Sequence, residues 1–391
     1  MRVLMISDVY FPRVNGVSTS IRTFRQALLQ QGVDSTLVAP GYPGQVEPDD
    51  AVVRVPGRYL PFDPEDRLMR YRKLRAALRS IDPHQFDLIH VQTPFAAHYA
   101  GVASGRRFRK PVVSTYHTLF AEYIHCYAPW LPGGIGRRLA QRLSRSQCNA
   151  VDMVVAPSAI MHETLRGYGV NSRIEVVPTG LPLQHFHHGD GAGFRSRFGI
   201  EQDRPVALYV GRVAHEKNLP LLLQMMQLLK KRQPELLLLI AGEGPALPGL
   251  QRQAQRLGVA GQVRFIGYLD RQRELVDCYH AADVFVFPSQ TETQGLVLLE
   301  AMACGKPVVA VPAMGAAEIV LAGKGAIPVE ACPAAFANAL SRLINLPLMR
   351  SEMASQARQW ADQWSDSATA IRLKAHYQSL LESVSRPMAT H

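Results

Sequence analysis

The feature that most constrains this chain is a rhythm. Short apolar runs, each closed by a glycine, proline, histidine or small polar residue, alternate with stretches of helical periodicity. A first series reads RVLMIS, DSTLVAP, FDLIHVQ, PVVSTYH and VDMVVAPS, and a second reads VALYVG, ELLLLIAGEG, VRFIGYL, DVFVFPS and KPVVAVP. Runs so short and so continuously apolar suit strands covered on both faces, and the helical spacers supply the crossovers that parallel strands need. The pattern predicts an α/β protein with two Rossmann-like, doubly wound parallel-sheet domains.

Between the two series, in RIEVVPTGLPLQHFHHGDGAGFRSRFG, the rhythm breaks around Pro178, Gly180, Pro182 and a run of glycines. This places a first domain at residues 1–180, a linker at 181–203 and a second domain at 204–364, with a helical segment at 365–391 closing the chain. Two such domains facing each other leave a cleft at the carboxyl ends of both sheets, where ligands of this architecture bind. A length of 391 residues suits two domains, and 47% hydrophobic with 19% charged residues excludes a disordered chain. No apolar run approaches the roughly 20 residues of a membrane span, and MRVLMISDVYFP is interrupted by Asp8 too early for a signal peptide. The five cysteines, Cys126, Cys148, Cys278, Cys304 and Cys332, share no metal-ligand spacing and read as reduced core thiols of a cytoplasmic protein.

The formal charge of +11 is uneven: residues 1–180 hold 22 Lys and Arg against 14 Asp and Glu. The excess gathers in RLMRYRKLRAALRS (Arg67 to Ser80), RRFRK (Arg106 to Lys110) and RRLAQRLSR (Arg137 to Arg145). The first carries Leu68, Tyr71, Leu74 and Leu78 at helical spacing with six basic residues and no acid. Such a segment fits either an anionic membrane surface or a solvated helix face packed on a sheet. Nucleic acid fits less well, because no aromatic residues interleave these runs as a stacking platform requires.

Chemistry concentrates where strands end. Asn15-Gly16 leads from the first strand into a helix, whose start offers N–H groups and partial positive charge to a phosphate. A single glycine is not the GxGxxG fingerprint, so a plain capping turn explains it equally well. After VALYVG, Arg212 and Lys217 flank a loop, with Asn218 as a capping residue and Pro220 at an early helix position. Two cations at a strand's carboxyl end suit a diphosphate, Arg gripping two oxygens and Lys acting as a point charge. In SQTETQGLVLLEAMACGKPVVA, Gln294, Gly295 and Leu296 open a helix that carries Glu300 among apolar neighbours. Burying that carboxylate alone would cost several kcal/mol, on the order of the penalties measured for uncompensated charges. Its partners are either ribose hydroxyls of a nucleoside diphosphate-sugar, with Glu292 near the sugar, or a neighbouring cation. No metal-ligand cluster is evident.

Taken together, Glu292 and Glu300 separated by seven residues, Arg212 and Lys217 separated by four, Gly16 in the first loop and GEGP at Gly242–Pro245 resemble the retaining GT-B glycosyltransferases of family four, over essentially the whole chain. The resemblance implies a nucleoside diphosphate-sugar donor held mainly by the second domain, an acceptor held mainly by the first, a closing helix that crosses back to the first domain, and no metal requirement. It further implies that His117, at the end of PVVSTYH, positions donor and acceptor, and that Glu292 lies at the transferred sugar. The implied chemistry is front-side attack by the acceptor, assisted by the leaving phosphate. Tyr268, after VRFIG, is placed beside the base by position alone.

SDVYFPRVNGVSTSIRT, TYHTLFAEYIHCY and TETQGLVLLEA resemble in particular the bacterial diacylglycerol glucosyl- and galactosyltransferases, peripheral enzymes of the cytoplasmic membrane face. This implies transfer of glucose or galactose from a UDP-sugar to 1,2-diacylglycerol. Family members with mannosyl or other donors and soluble or glycan acceptors share parts of the pattern. MGAAEIV departs from it, with Ala316 and Ala317 where many relatives have Gly and Pro. A different class, a nucleotide-sugar epimerase, would fit the same two-domain outline. The sequence leaves sugar, base, linkage and oligomeric state open.

Overall fold

A computed structural model of the chain describes residues 1–42, 49–60, 63–117 and 133–385. It divides into two compact units, Met1–Gly180 with Asp366–His391, and Leu181–Ser365.

The sheet of the first unit runs through β1 (Arg2–Ile6), β2 (Asp34–Gly41), β3 (Val52–Leu60), β4 (Asp63–Met69), β5 (Leu88–Val91), β6 (Val112–Thr115), β7 (Met153–Ala156) and β8 (Arg173–Val176). Their order is β4-β3-β2-β1-β5-β6-β7-β8. Every pairing is parallel except β3 with β4, which is antiparallel. That hairpin corrects the expectation of a helix over Arg67 to Ser80. Arg67 and Met69, two residues apart and both buried, pair with Tyr59 and Gly57 of β3, and the helix starts only at Tyr71. In that helix Leu74 and Leu78 are buried in the protein, so its apolar face is already used.

Helices Gly16–Gln30, Ala96–Phe108, Gly133–Cys148 and Ala159–Gly167 complete the unit's crossovers. The closing helix Asp366–Ser385 gives Ala370, Leu373, Tyr377 and Leu380 to the same core as Val3, Met5, Leu28 and Leu37. Chain order reverses between neighbouring β1 and β5, so the loops after Ile6 and Val91 leave the sheet side by side.

In the second unit β9 (Val206–Val210), β10 (Leu237–Ala241), β11 (Val263–Gly267), β12 (Val284–Phe287), β13 (Val308–Ala310) and β14 (Ala326–Pro328) pair in the order β11-β10-β9-β12-β13-β14, all parallel. The reversal falls between β9 and β12. Both strands are buried along their whole length, as crossovers on both faces require.

The segment 181–203 is not a linker. Leu181 bridges to Ser365, its N–H donates to the Trp364 carbonyl, and Phe186, Phe194 and Ile200 enter the second unit's core. The apolar residues hidden among its prolines and glycines fold this stretch onto the unit that follows. Among the described residues no helix is long and apolar enough to cross a membrane.

Candidate active site

At the switch point of the second unit, the loop after β9 carries Arg212 and Lys217, and the loop after β12 carries Glu292. Glu292 Oε1 accepts from Lys217 Nζ at 2.5 Å and from Ser289 Oγ at 2.8 Å. The pair is mostly shielded from solvent, so its Coulomb attraction is less screened than that of a surface pair. Arg212 is exposed, and its carbonyl accepts from the buried Tyr209 hydroxyl at 3.1 Å. Burial, and then the charges of Glu292 and Glu216, push that phenol well above its ordinary range, so it stays a neutral donor. Asn218 does not cap the next helix as expected. It takes a left-handed conformation after the turn His215–Lys217, and Pro220 occupies the first turn of the helix Pro220–Leu229.

The helix Leu296–Ala303 begins at Gly295, whose φ of +88° would strain any other residue. No side chain caps it, and the Leu298 N–H donates back to the Gly295 carbonyl at 3.0 Å. Gly315 makes the close approach that holds the preceding loop. Its N–H donates to the Glu292 carbonyl at 2.8 Å, and a Cβ there would lie 2.0 Å from the Thr293 carbonyl oxygen. Ala316 and Ala317, the departures from the family pattern, are buried under this loop, and Gln294 is buried within it.

Glu300 has a protein partner on each oxygen. Arg271 donates to Oε1 and the Tyr279 hydroxyl donates to Oε2 at 2.8 Å. The side chain is only 1% exposed. Burial alone would lower the Arg271 pKa, but Glu300 beside it holds the guanidinium above its usual value. Burial and Glu300 together push the Tyr279 phenol well up. The cation that sequence reasoning offered as an alternative partner is therefore present. A carboxylate has about four lone-pair sites, so ribose hydroxyls can still share these oxygens. Tyr268 stands exposed just past the end of β11, three residues before Arg271.

In the first unit, Asn15 Oδ1 accepts from the Ser18 N–H at 2.8 Å and so starts the helix that Gly16 opens. His117 follows β6 and is half-buried, its Nε2 3.1 Å from the Gln92 Oε1 at the end of β5. An amide oxygen only accepts, so this contact puts the proton on Nε2. Burial lowers the His117 pKa to about 4, keeping the ring neutral at ordinary pH. Asp8, after β1, accepts from the Ala97 N–H at 3.0 Å and from Thr93 Oγ1 at 2.9 Å, and burial raises its pKa to about 6.

The structure thus joins Lys217 to Glu292 and gives Glu300 two donors. Sequence reasoning missed Ser289, Arg271, Tyr279 and Gln92. Ser289 lies three residues before Glu292 and was legible as a strand-end polar residue. Arg271 and Tyr279 are 29 and 21 residues from Glu300, a separation that no local pattern encodes. Among the described residues no group of three or more His, Cys, Asp or Glu side chains could hold a metal ion. Cys148, Cys278 and Cys304 are buried free thiols and Cys332 is partly exposed; Cys126, and most of TYHTLFAEYIHCY, lie outside the described residues.

Comparison with known proteins bears on this arrangement at several levels. The family model described as Glycosyltransferase Family 4 matches residues 14–185, and that for Glycosyl transferases group 1 matches 193–360. The alpha-monoglucosyldiacylglycerol synthase of Streptococcus pneumoniae (strain ATCC BAA-255 / R6) is 34% identical over 318 residues, which span 79% of this chain and 71% of that one. The chain belongs to glycosyltransferase family 4. Gly16 and His117 fall within the first match, and Arg212, Lys217, Glu292 and Glu300 within the second. The D-inositol 3-phosphate glycosyltransferase 2 of Catenulispora acidiphila is 32% identical, covering 78% of this chain and 73% of that one. Anabaena HepE, solved in complex with UDP and glucose, shares the fold, with a TM-score of 0.78 at 19% identity, 97% of this chain and 100% of that one being covered. This family 4 enzyme is a nucleotide-sugar-dependent glycosyltransferase, which sets the epimerase reading aside.

Proposed function

We propose that this glycosyltransferase moves glucose or galactose from a UDP-sugar to 1,2-diacylglycerol, acting as a peripheral enzyme on the cytoplasmic face of the membrane. The observation that carries the donor half is the Lys217–Glu292 pair at the β9/β12 switch point, beside the uncapped helix start at Gly295. In this reading Arg212, Lys217 and the N–H groups of Gly295 and Leu296 hold the diphosphate without a metal ion, Glu300 takes ribose hydroxyls, and Tyr268 and Gln294 line the donor site. Gly16 contributes its backbone, while Glu292 and His117 hold the sugar. The acceptor hydroxyl oxygen bonds to the anomeric carbon as the carbon–oxygen bond to the diphosphate breaks, and the hydroxyl proton passes to the departing phosphate. Lys217, released from Glu292, would balance the charge gathering on that phosphate.

The acceptor half is supported by the Streptococcus relative, whose name gives a glucosylated diacylglycerol as its product, and by the basic first unit. The inositol-phosphate relatives favour a second reading, a soluble phosphorylated acceptor. Product analysis separates them. The protein is incubated with UDP-glucose, UDP-galactose or GDP-mannose, and with either diacylglycerol-containing vesicles or D-inositol 3-phosphate. Glycosylated diacylglycerol from one UDP-sugar is expected, unchanged by EDTA. Glycosylated inositol phosphate alone would replace the acceptor, and an EDTA-sensitive reaction would overturn the metal-free donor site. Glu292→Ala and His117→Ala are expected to fold and to lose at least about 100-fold in rate, the scale of removing an electrostatic contact to a reacting centre; full activity in both would remove their roles.

A further inference from the structure

The three basic runs of the first unit, alike in sequence, differ in what they expose. The helix Tyr71–Ser80 buries its leucines, and Arg106 and Arg107 sit in the last turn of Ala96–Phe108, where cations favour the helix end. The helix Gly133–Cys148 buries Gly136, Ala140, Ser144 and Cys148 instead, and turns large apolar side chains outward. Ile135, Leu139 and Leu143 are 58%, 53% and 41% exposed. They are four residues apart and so form one row on the helix. The next position in that row is Gln147, whose Nε2 donates to the Pro94 carbonyl at 2.7 Å and to the Tyr99 hydroxyl at 3.3 Å. Through it the row runs on to Tyr99 and Phe95, themselves 51% and 46% exposed.

Beside this row, on the flank away from the buried face, the helix carries Arg138 and Arg142, while Arg145 lies further round with its guanidinium against Gly169. No Asp or Glu occurs between Glu122 and Asp152. An apolar row this long is unusual on a protein surface facing only water. Its partner must accept both an apolar row and two cations along one helix. A second protein would need a groove with matching carboxylates, whereas an anionic bilayer offers acyl chains and phosphates side by side over any length.

We propose that Gly133–Cys148 is an interfacial membrane helix, lying flat on an anionic bilayer with Ile135, Leu139 and Leu143 in the acyl boundary, Arg138 and Arg142 on the lipid phosphates, and Phe95 and Tyr99 extending the contact. The inference rests on the reading of the protein as a peripheral membrane enzyme and names the surface responsible.

The test is sedimentation with vesicles of phosphatidylcholine, with and without phosphatidylglycerol, at low salt and in 0.5 M NaCl. The proteins compared are the full chain, the triple variant Ile135→Ser, Leu139→Ser, Leu143→Ser, and a control, Leu348→Gln, at an exposed leucine of the second unit. Far-ultraviolet circular dichroism and thermal melting establish that each is folded, and sedimentation velocity without lipid gives the oligomeric state. The triple variant is expected to lose at least tenfold in affinity for anionic vesicles, the control nothing. Arg138→Gln with Arg142→Gln is expected to flatten the salt dependence. Should the triple variant bind as well as the unchanged chain, the assignment of this helix is overturned while the membrane reading stands. Absence of vesicle binding by the unchanged chain at low salt overturns both. A dimer that dissociates in the triple variant, with vesicle binding unaltered, makes the row a contact between copies and overturns the proposal.

Discussion

Glu300 shows how a buried charge is made tolerable here, and what removing one partner should do. Arg271 and Tyr279 between them satisfy both oxygens, so Arg271→Ala leaves an uncompensated carboxylate in the core. Breaking such a pair costs about 3–5 kcal/mol, but Glu300→Gln leaves behind a guanidinium that is 17% exposed and within reach of water, whereas Arg271→Ala leaves a carboxylate that is 1% exposed. Urea denaturation should therefore find Arg271→Ala the less stable of the two, with Tyr279→Phe losing about 1.5–3 kcal/mol, the range for a hydrogen bond to a charged group. Equal losses would mean that the ion pair does not carry the site's stability. The histidines of the first unit give the acid limit. Burial holds His90 at about 3, with His117 adding to the effect, and holds His98 and His117 at about 4. The unfolded chain protonates these rings near pH 6.5 and the folded chain does not. Stability is therefore complete above that pH and falls below it, by about 1.4 kcal/mol per histidine per unit until the folded values are reached. Asp8, raised to about 6, works in the opposite sense, because there the folded state takes up the proton first. Urea midpoints between pH 7 and pH 5 should fall, and fall more steeply in Asp8→Asn; a flat profile would contradict the buried, neutral rings.

At the scale of elements, the start of the first helix separates a folding requirement from a ligand requirement. Asn15 provides the cap, and a Cβ at Gly16 would meet nothing within 4 Å. Nothing in the unit itself demands glycine there. Gly16→Ala should fold with stability unchanged or raised by up to about 1 kcal/mol, since alanine costs less backbone entropy. Under the proposed function the same change should weaken UDP-sugar binding at least tenfold by calorimetry; unchanged binding would remove Gly16 from the donor site. Elements of this kind were legible in the sequence because strand, loop and helix each leave a local mark: apolar runs, Asn15 before its helix, Gly295 before Leu296. The β3–β4 hairpin was not, because Arg67, Leu68 and Met69 continue smoothly into a segment of true helical period. The segment 181–203 misled for a related reason, its core residues Phe186 and Phe194 lying among glycines that read as a linker. The partners of Glu292 and Glu300 were less legible. Lys217 reads as a diphosphate cation and not as the partner of Glu292, and Arg271 and Tyr279 meet Glu300 only through the order in which strands pair.

For the molecule as a whole, chain connectivity makes the two units unequal. The second unit is one continuous stretch, Leu181–Ser365, with its own core, whereas the first needs a helix supplied from beyond the second. Ala370, Leu373, Tyr377 and Leu380 are buried in the first unit, and the Tyr377 hydroxyl lies 2.6 Å from His90 Nδ1. Burying the three large side chains contributes about 1.5–3 kcal/mol each, a sum comparable with the roughly 5–15 kcal/mol that holds a typical domain folded. A chain ending at Ser365 should therefore lose the cooperative melting of the first unit. It should also expose a core that includes Val3, Met5 and Leu37, and bind a hydrophobic dye. The fragment Leu181–Ser365 should melt as one cooperative transition by itself, because its sheet, its switch-point loops and the Glu292 and Glu300 clusters all lie within it. Calorimetry on the full chain, the truncated chain and the fragment checks this directly. If the truncated chain kept every transition of the full one, the closing helix would be an accessory rather than a structural part of the first unit.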